Sequence, residues 1–219
     1  MYRATAALVI AFVLSLVLGC NKNTTIVPKY QSQTAVMPAV AGAAGHSLVV
    51  VSFDASAVSK KLGDKRSGIL LGLGSTKGGE IRLGGDLGQT FAEGFAFQLK
   101  SAGFTITGAA TEAAAMDLAK AGECTGIVTG TVSNFRLNMK DKGITGTDFA
   151  GGASITVCVK APEGKLLYQD TAEYKADYSK FVMKKGDPSG LANRILTDIV
   201  DTFCKKPEFA VALHRAAVD

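Results

Sequence analysis

Three groups of residues in this chain could do chemistry: a glycine-rich stretch, the few cysteines and histidines, and a scatter of carboxylates. The stretch Gly72-Leu73-Gly74-Ser75-Thr76-Lys77-Gly78-Gly79 has the look of a phosphate-cradling loop. A Walker-type loop places Gly-Lys before Ser or Thr, so that the lysine reaches phosphate and the hydroxyl reaches magnesium. Here Lys77 follows Thr76 and precedes Gly78, and a dinucleotide fingerprint would need glycine at position 77. Both patterns fail by one position, so no nucleotide partner is expected. A serine nucleophile needs a histidine base and a carboxylate to orient it. The two histidines, His46 and His214, fall in what read as loose ends, and the same shortage removes Cys–His catalysis. No Cys-x-x-Cys spacing exists, so a zinc site is not expected either. Paired carboxylates of the glycosidase kind would have to come from Asp54, Glu80, Asp148 and Glu173. They read better as solvated surface charges, and no catalytic residue and no enzyme activity is expected.

The thiol that stands out is Cys20. Met1-Tyr2-Arg3 is followed by sixteen uncharged residues, Ala4 to Gly19, ending in Val17-Leu18-Gly19-Cys20. One early positive charge, a short apolar core and a small residue at the cut site describe a secretory signal. A membrane span would need about 18 or more apolar residues, and this run stops at Asn21-Lys22-Asn23. Its tail resembles a bacterial lipobox, although Leu18 is a less usual choice two positions before the cysteine. The resemblance implies cleavage after Gly19, a diacylglycerol on the Cys20 thiol and an acyl chain on the new amino terminus. That covalent lipid is the sole cofactor expected, and the membrane is a partner through it. In lipoproteins of this kind a residue other than Asp after the cysteine implies the outer membrane, and Asn21 fits, with the chain facing the periplasm.

Removing residues 1–19 leaves 200 residues and takes away Arg3, lowering the net charge from +5 to +4. Two hundred residues bury a proper core as one domain. The basic residues gather only in pairs such as Lys60-Lys61, Lys65-Arg66, Lys184-Lys185 and Lys205-Lys206, so no phosphate-tracking stripe for nucleic acid is visible. Beyond Cys20 stand Cys124, Cys158 and Cys204. An oxidising periplasm permits a disulfide, and three thiols leave at least one unpaired. Cys124 with Cys204 is the favoured pair, joining a strand start to the last helix, with the connectivity open.

The elements that position these residues follow from periodicity. Residues 20–45 read as the lipidated cysteine and a flexible tether able to reach about 80 Å when extended. An α/β domain over 46–210 and a tail over 211–219 follow. Ser47 to Phe53 is a β-branched run suited to a strand buried on both faces. Gly63 to Gly88 carries nine glycines in 26 residues and reads as an inserted hairpin, with strands at Ile69–Leu73 and Glu80–Leu83 and a turn at Ser75–Gly79. Asp86 caps a helix with Leu87, Phe91, Phe95, Leu99 and Ala102 on one stripe, ending at Gly103. A short strand, an alanine-rich helix capped by Thr111, and three long strands (125–139, 153–160, 166–174) come next. Asp187 and Pro188 open a last helix with Leu191, Ile195, Ile199 and Phe203 at four-residue spacing. The order predicts a single two-layer α/β sandwich, a mixed sheet with helices on one face and the hairpin inserted.

Three segments carry a family likeness: Gly63-Asp64-Lys65-Arg66-Ser67-Gly68 before the hairpin, Leu99-Lys100-Ser101-Ala102-Gly103-Phe104, and Val159-Lys160-Ala161-Pro162-Glu163-Gly164-Lys165-Leu166-Leu167-Tyr168. In this order they resemble the YajG-like outer-membrane lipoproteins and, more loosely, the LpoB-like activators of periplasmic cell-wall synthases. The likeness covers roughly residues 47–210. It implies the fold, and a non-enzymatic accessory role with a periplasmic or outer-membrane protein partner. On the hairpin, Lys65, Arg66, Gly68, Lys77 and Arg82 are the expected partner-binding residues, with the cations steering acidic surfaces to an open strand edge. Phe97 and Phe181 are further contact candidates. The alternative is a small-ligand or lipid carrier with an apolar cavity between sheet and helices.

Overall fold

The structure, a computed structural model, describes residues 23–32, 34–40, 43–68, 75–142, 147–180 and 188–218. Cys20, the expected signal segment, Phe181 and the Asp187 cap lie outside these residues. The described chain forms eight strands and four helices. The strands are β1 (Thr24–Ile26), β2 (Ser47–Val51), β3 (Lys61–Gly68), β4 (Ser75–Leu83), β5 (Thr105–Ala109), β6 (Gly126–Asp141), β7 (Thr147–Lys160) and β8 (Leu166–Lys180). The helices are α1 (Leu87–Ser101), α2 (Glu112–Lys120), α3 (Pro188–Cys204) and α4 (Pro207–Val218).

All eight strands join one open, mixed sheet organised by β6. Along one edge of β6, β2 and β3 lie end to end and parallel to it: Leu48 registers with Gly126, Asp54 bridges Thr131, and Lys65 registers with Met139. The other edge of β6 pairs antiparallel with β7, from Ile127 opposite Lys160 to Asp141 opposite Thr147, and β7 pairs in turn with β8. β5 flanks β2, while β4 and then β1 flank β3.

Alternation decides what each face covers. In β7, Ile155, Val157 and Val159 are fully buried, while Ser154, Thr156 and Cys158 face away. Helices α1, α3 and α4 cover the buried face, and the predicted stripes on α1 and α3 are the residues that enter the core. Asp86 caps α1 by accepting from the Gln89 amide at 3.0 Å, and Thr111 caps α2 through the Ala114 amide at 3.2 Å. At the centre, the Phe53 ring stacks on Phe95 with centroids 5.3 Å apart, and Phe95 also meets Phe203 and Phe209 at 6.0 Å. Burying each such ring is worth about 1.5–3 kcal/mol. The continuous β-branched run of β2 is buried on both faces for a reason: Leu48 and Val50 enter this core, whereas Val49 and Val51 meet Ala115 and Ala119 of α2. The short α2 thus lies on the face opposite the other three helices.

Several boundaries differ from expectation. Residues 24–32, 34–40 and 43–46 are a strap laid on the domain, not a tether: β1 adds to the sheet, and Ile26, Met37 and Ala43 are buried. Apolar residues spaced among polar ones carry this segment across a surface, a spacing that has no helical or strand period to reveal it. The expected tail is the second half of α4, whose Ala212, Leu213, Ala216 and Ala217 are buried. The hairpin is not an insertion, because β3 sits between β4 and β6; its first strand lies at Lys61–Gly68, and Ser75–Gly79 belongs to β4. The expected hairpin stretch Ile69–Gly74 lies outside the described residues.

Candidate functional site: the hairpin, the strap and the β8 edge

The N-terminal strap occupies the edge expected to stay open. Thr24, Thr25 and Ile26 run parallel to β4 in register with Ile81, Arg82 and Leu83. The Asn23 side chain accepts from the Glu80 amide at 3.0 Å, and Lys65 Nζ donates to Thr24 Oγ1. Strand addition to this part of β4 is therefore made from within the chain.

Beyond β1 the strap is held by the two buried polar side chains found among the described residues, Gln98 and Asn193. Gln98 Oε1 accepts from the amides of Val36 and Met37 at 2.9 and 3.3 Å, and its amide group donates to Tyr30 Oη at 2.6 Å. Tyr30 donates in turn to Asp201 Oδ1 at 2.7 Å. Asn193 Oδ1 accepts from the Lys29 amide at 2.7 Å, and Thr197 Oγ1 from the Gln31 amide at 3.1 Å. Burial drives the Tyr30 phenol well above its usual range, so it stays a neutral donor. Gln98 interrupts an apolar stripe between Phe95 and Leu99, a sequence signal that could have pointed to this latch.

The expected partner-binding residues do share the β3–β4 hairpin, but they divide. Lys65 reaches Thr24, while Arg82 pairs with Glu80 at 3.0 Å. Glu80 also takes Lys61 at 3.3 Å, and Lys61 takes Asp64 at 3.0 Å. The Arg82 hydrogen bond, then Lys61, hold the Glu80 carboxyl below its ordinary range. Arg66, by contrast, registers with Lys77 on β4 and with Lys140 on β6, and Gly68 registers with Ser75. Lys140 could not be associated with the hairpin from the sequence, because the parallel β3–β6 pairing joins positions 74 apart. Phe97 is 38% exposed and rests on the Tyr30 ring at 5.8 Å.

Among the described residues the four candidate carboxylates stand apart from one another. Of the scattered carboxylates, Glu80 pairs on the hairpin, Asp148 pairs with Lys142 at 2.6 Å, Asp54 accepts from the Ser56 amide, and Glu173 registers with Ser154 in mid-β8. Among the described residues no group of three or more metal-ligating side chains forms. Cys124, Cys158 and Cys204 are free thiols. The expected Cys124–Cys204 disulfide is absent because the two lie on opposite sides of the sheet, Cys124 under α2 and Cys204 in the main core. Burial pushes all three thiols up, which favours their protonated, less nucleophilic form.

Open concavities mark the described surface, among them one of about 360 Å³ beside Glu93, Lys100 and Ile106. One of about 520 Å³ lies between the strap and α1, beside Lys29, Tyr30 and Glu93. One of about 300 Å³ lies around Gly152, between Arg136 and Lys175. The outer edge of β8, from Leu166 to Lys180, pairs with no strand among the described residues. No described helix is long and apolar enough to cross a membrane.

No protein-family model matches this sequence, and no curated protein is similar to it. Among solved structures, the chain is similar to a Xanthomonas campestris protein of family DUF330, with a TM-score of 0.53 at 7% identity over 88% of this chain and 98% of that one. That likeness shows a shared fold. Fainter likenesses are to the PelC dodecamer of Paraburkholderia phytofirmans (TM-score 0.39, 14% identity, 75% and 90% covered) and to a lipoprotein of Neisseria meningitidis (TM-score 0.35, 13% identity, 74% and 99% covered).

Proposed function

We propose that this chain is a bacterial envelope lipoprotein that acts, without catalysing a reaction, as a docking module for a protein partner. Diacylglycerol and an N-acyl chain on Cys20 anchor it in the outer membrane, facing the periplasm. The lipobox-like tail Val17-Leu18-Gly19-Cys20 supports the anchor, and Asn21 supports the choice of membrane. The docking reading rests on the outer edge of β8, 15 residues long and without a strand partner among the described residues. Such an edge presents a row of backbone donors and acceptors to which another chain can add a strand. The hairpin edge expected for this role is taken in part by β1, which favours the β8 edge as the candidate docking strand.

A small-ligand or lipid carrier would need an apolar cavity between sheet and helices. Phe53, Phe91, Phe95, Phe203 and Phe209 fill that space, none more than 3% exposed, which weighs against this alternative. The test is in-cell crosslinking with a photoreactive residue at Gln169 or Lys175 on β8, and at Lys120 on α2 as control. A dominant protein adduct from β8 and none from α2 is expected; no adduct from β8 overturns the docking reading. If a Cys20→Ala chain still fractionates with the outer membrane like the parent, the anchor reading falls instead.

A further inference from the structure

One row across the sheet is unbalanced in charge. Lys77 on β4, Arg66 on β3 and Lys140 on β6 are consecutive register partners, followed by Asp148 on β7. Register partners present side chains on the same face, and like charges directly opposite one another are destabilising. The local carboxylates do not relieve the row. Asp148 is engaged by Lys142, and Asp64 and Glu80 are engaged by Lys61 and Arg82. Among the described residues no carboxylate pairs with Arg66 or Lys140, and both are exposed. Arg66 and Lys140, adjacent cations near the ends of β3 and β6, thus await an outside anion.

The direction of β1 supplies that anion. β1 is parallel to β4, which begins at the hairpin tip, so the chain reaches Thr24 from the tip side. Three residues separate Cys20 from Thr24, so four residue steps span a contour of at most about 14 Å. Thr24 registers with Ile81, itself four residues from Lys77. The strap thus permits no long tether, and a lipid on Cys20 holds the hairpin tip close to the bilayer surface.

Resting on the anchor reading above, we infer that Arg66 and Lys140 form a headgroup-binding surface for anionic phospholipid, which sets the domain tip-down on its membrane. Each cation held at an anionic surface contributes roughly a fivefold gain in partitioning. The effect falls off as salt screens it.

The sequence contains no tryptophan, so one introduced indole reports its own position. The full, acylated chain carrying Thr147→Trp at the tip end of β7, or Glu163→Trp in the turn at the far end, is reconstituted into phosphatidylcholine vesicles. These contain a headgroup-nitroxide lipid and either no or 30% phosphatidylglycerol. Mass spectrometry first reports the acyl groups on Cys20. The inference expects strong quenching at position 147, little at 163, an increase at 147 with phosphatidylglycerol, and loss of that increase in Arg66→Gln/Lys140→Gln or in high salt. Equal quenching at both ends, or no response to phosphatidylglycerol in the acylated chain, overturns it while leaving the anchor intact. An unacylated Cys20 overturns both.

Discussion

The side-chain amide of Gln98 donates to the Tyr30 hydroxyl at 2.6 Å, joining α1 to a residue 68 positions earlier in the chain. With Gln98 fully buried, this bond and the two amides it accepts fasten the strap to the helical layer. An unmade hydrogen bond at a buried polar group costs more than a made one gains.

Gln98→Ala leaves the Val36 and Met37 amides without their acceptor. It is expected to lower unfolding free energy by about 2–3 kcal/mol. The milder Tyr30→Phe is expected to cost about 1 kcal/mol. Urea unfolding gives the magnitudes, and limited proteolysis should find new cuts within residues 28–40 before the rest of the fold opens.

Phe53 is clasped between two glycines. A Cβ on Gly88 would stand 1.9 Å from the Phe53 carbonyl oxygen, and one on Gly130 would stand 2.3 Å from its ring. Gly88→Ala and Gly130→Ala are each expected to destabilise by about 3 kcal/mol or more, since a filled core yields only by strain. Gly108→Ala, with nothing within 4 Å of the added carbon, is expected to gain about 0.4–1 kcal/mol through the unfolded chain. Thermal unfolding of the three variants checks the order.

The three thiols of the folded domain are expected to resist alkylation at neutral pH, with the half-buried Cys158 reacting before Cys124 and Cys204. All should react promptly in denaturant. Their mass under non-reducing conditions should show no loss of two hydrogens, and reductant should leave the unfolding midpoint unchanged.

Asp170 accepts from Lys206 at 2.5 Å, which holds its carboxyl below the ordinary range, aided by the Thr171 amide and Tyr168. A depressed folded-state pKa means stability that is present above the unfolded carboxyl's pKa of about 3.9 and is lost as pH falls through the folded value. The pair is partly solvated, so the amount is under about 1 kcal/mol. Asp170→Asn should flatten the stability profile below pH 4 and leave its shape above pH 6 unchanged.

The interior periodicity was legible in the sequence and the long-range pairing was not. The stripes on α1 and α3, the Asp86 and Thr111 caps of α1 and α2, and the alternation of Ile155, Val157 and Val159 all follow from neighbours within a few residues. The burial of Val49 and Val51 under α2 also agrees with the unbroken apolar run of β2. The strap hid because three residues of β1 and isolated contacts such as Met37 carry no period. The cationic row hid because Lys140 joins Arg66 only through a parallel pairing. Of the expected contact residues, Lys65 holds the strap at Thr24 and Arg82 pairs with Glu80 within the hairpin, roles that spacing alone could not separate from an outward one.

The latch on Asn193, Thr197 and Asp201 fixes a temporal order as well as a geometry. Residues 24–37 leave the ribosome well before their partners on α3, which arrive some 160 positions later. What is made first is therefore seated last. Until α3 emerges, β4 has a vacant flank beside Ile81 and the groove for Tyr30 is unfilled, so the nascent chain passes through a long interval in which it is incomplete and easily kept unfolded. Closure of the strap marks the end of assembly, and a chain truncated before Asn193 has no means of reaching it.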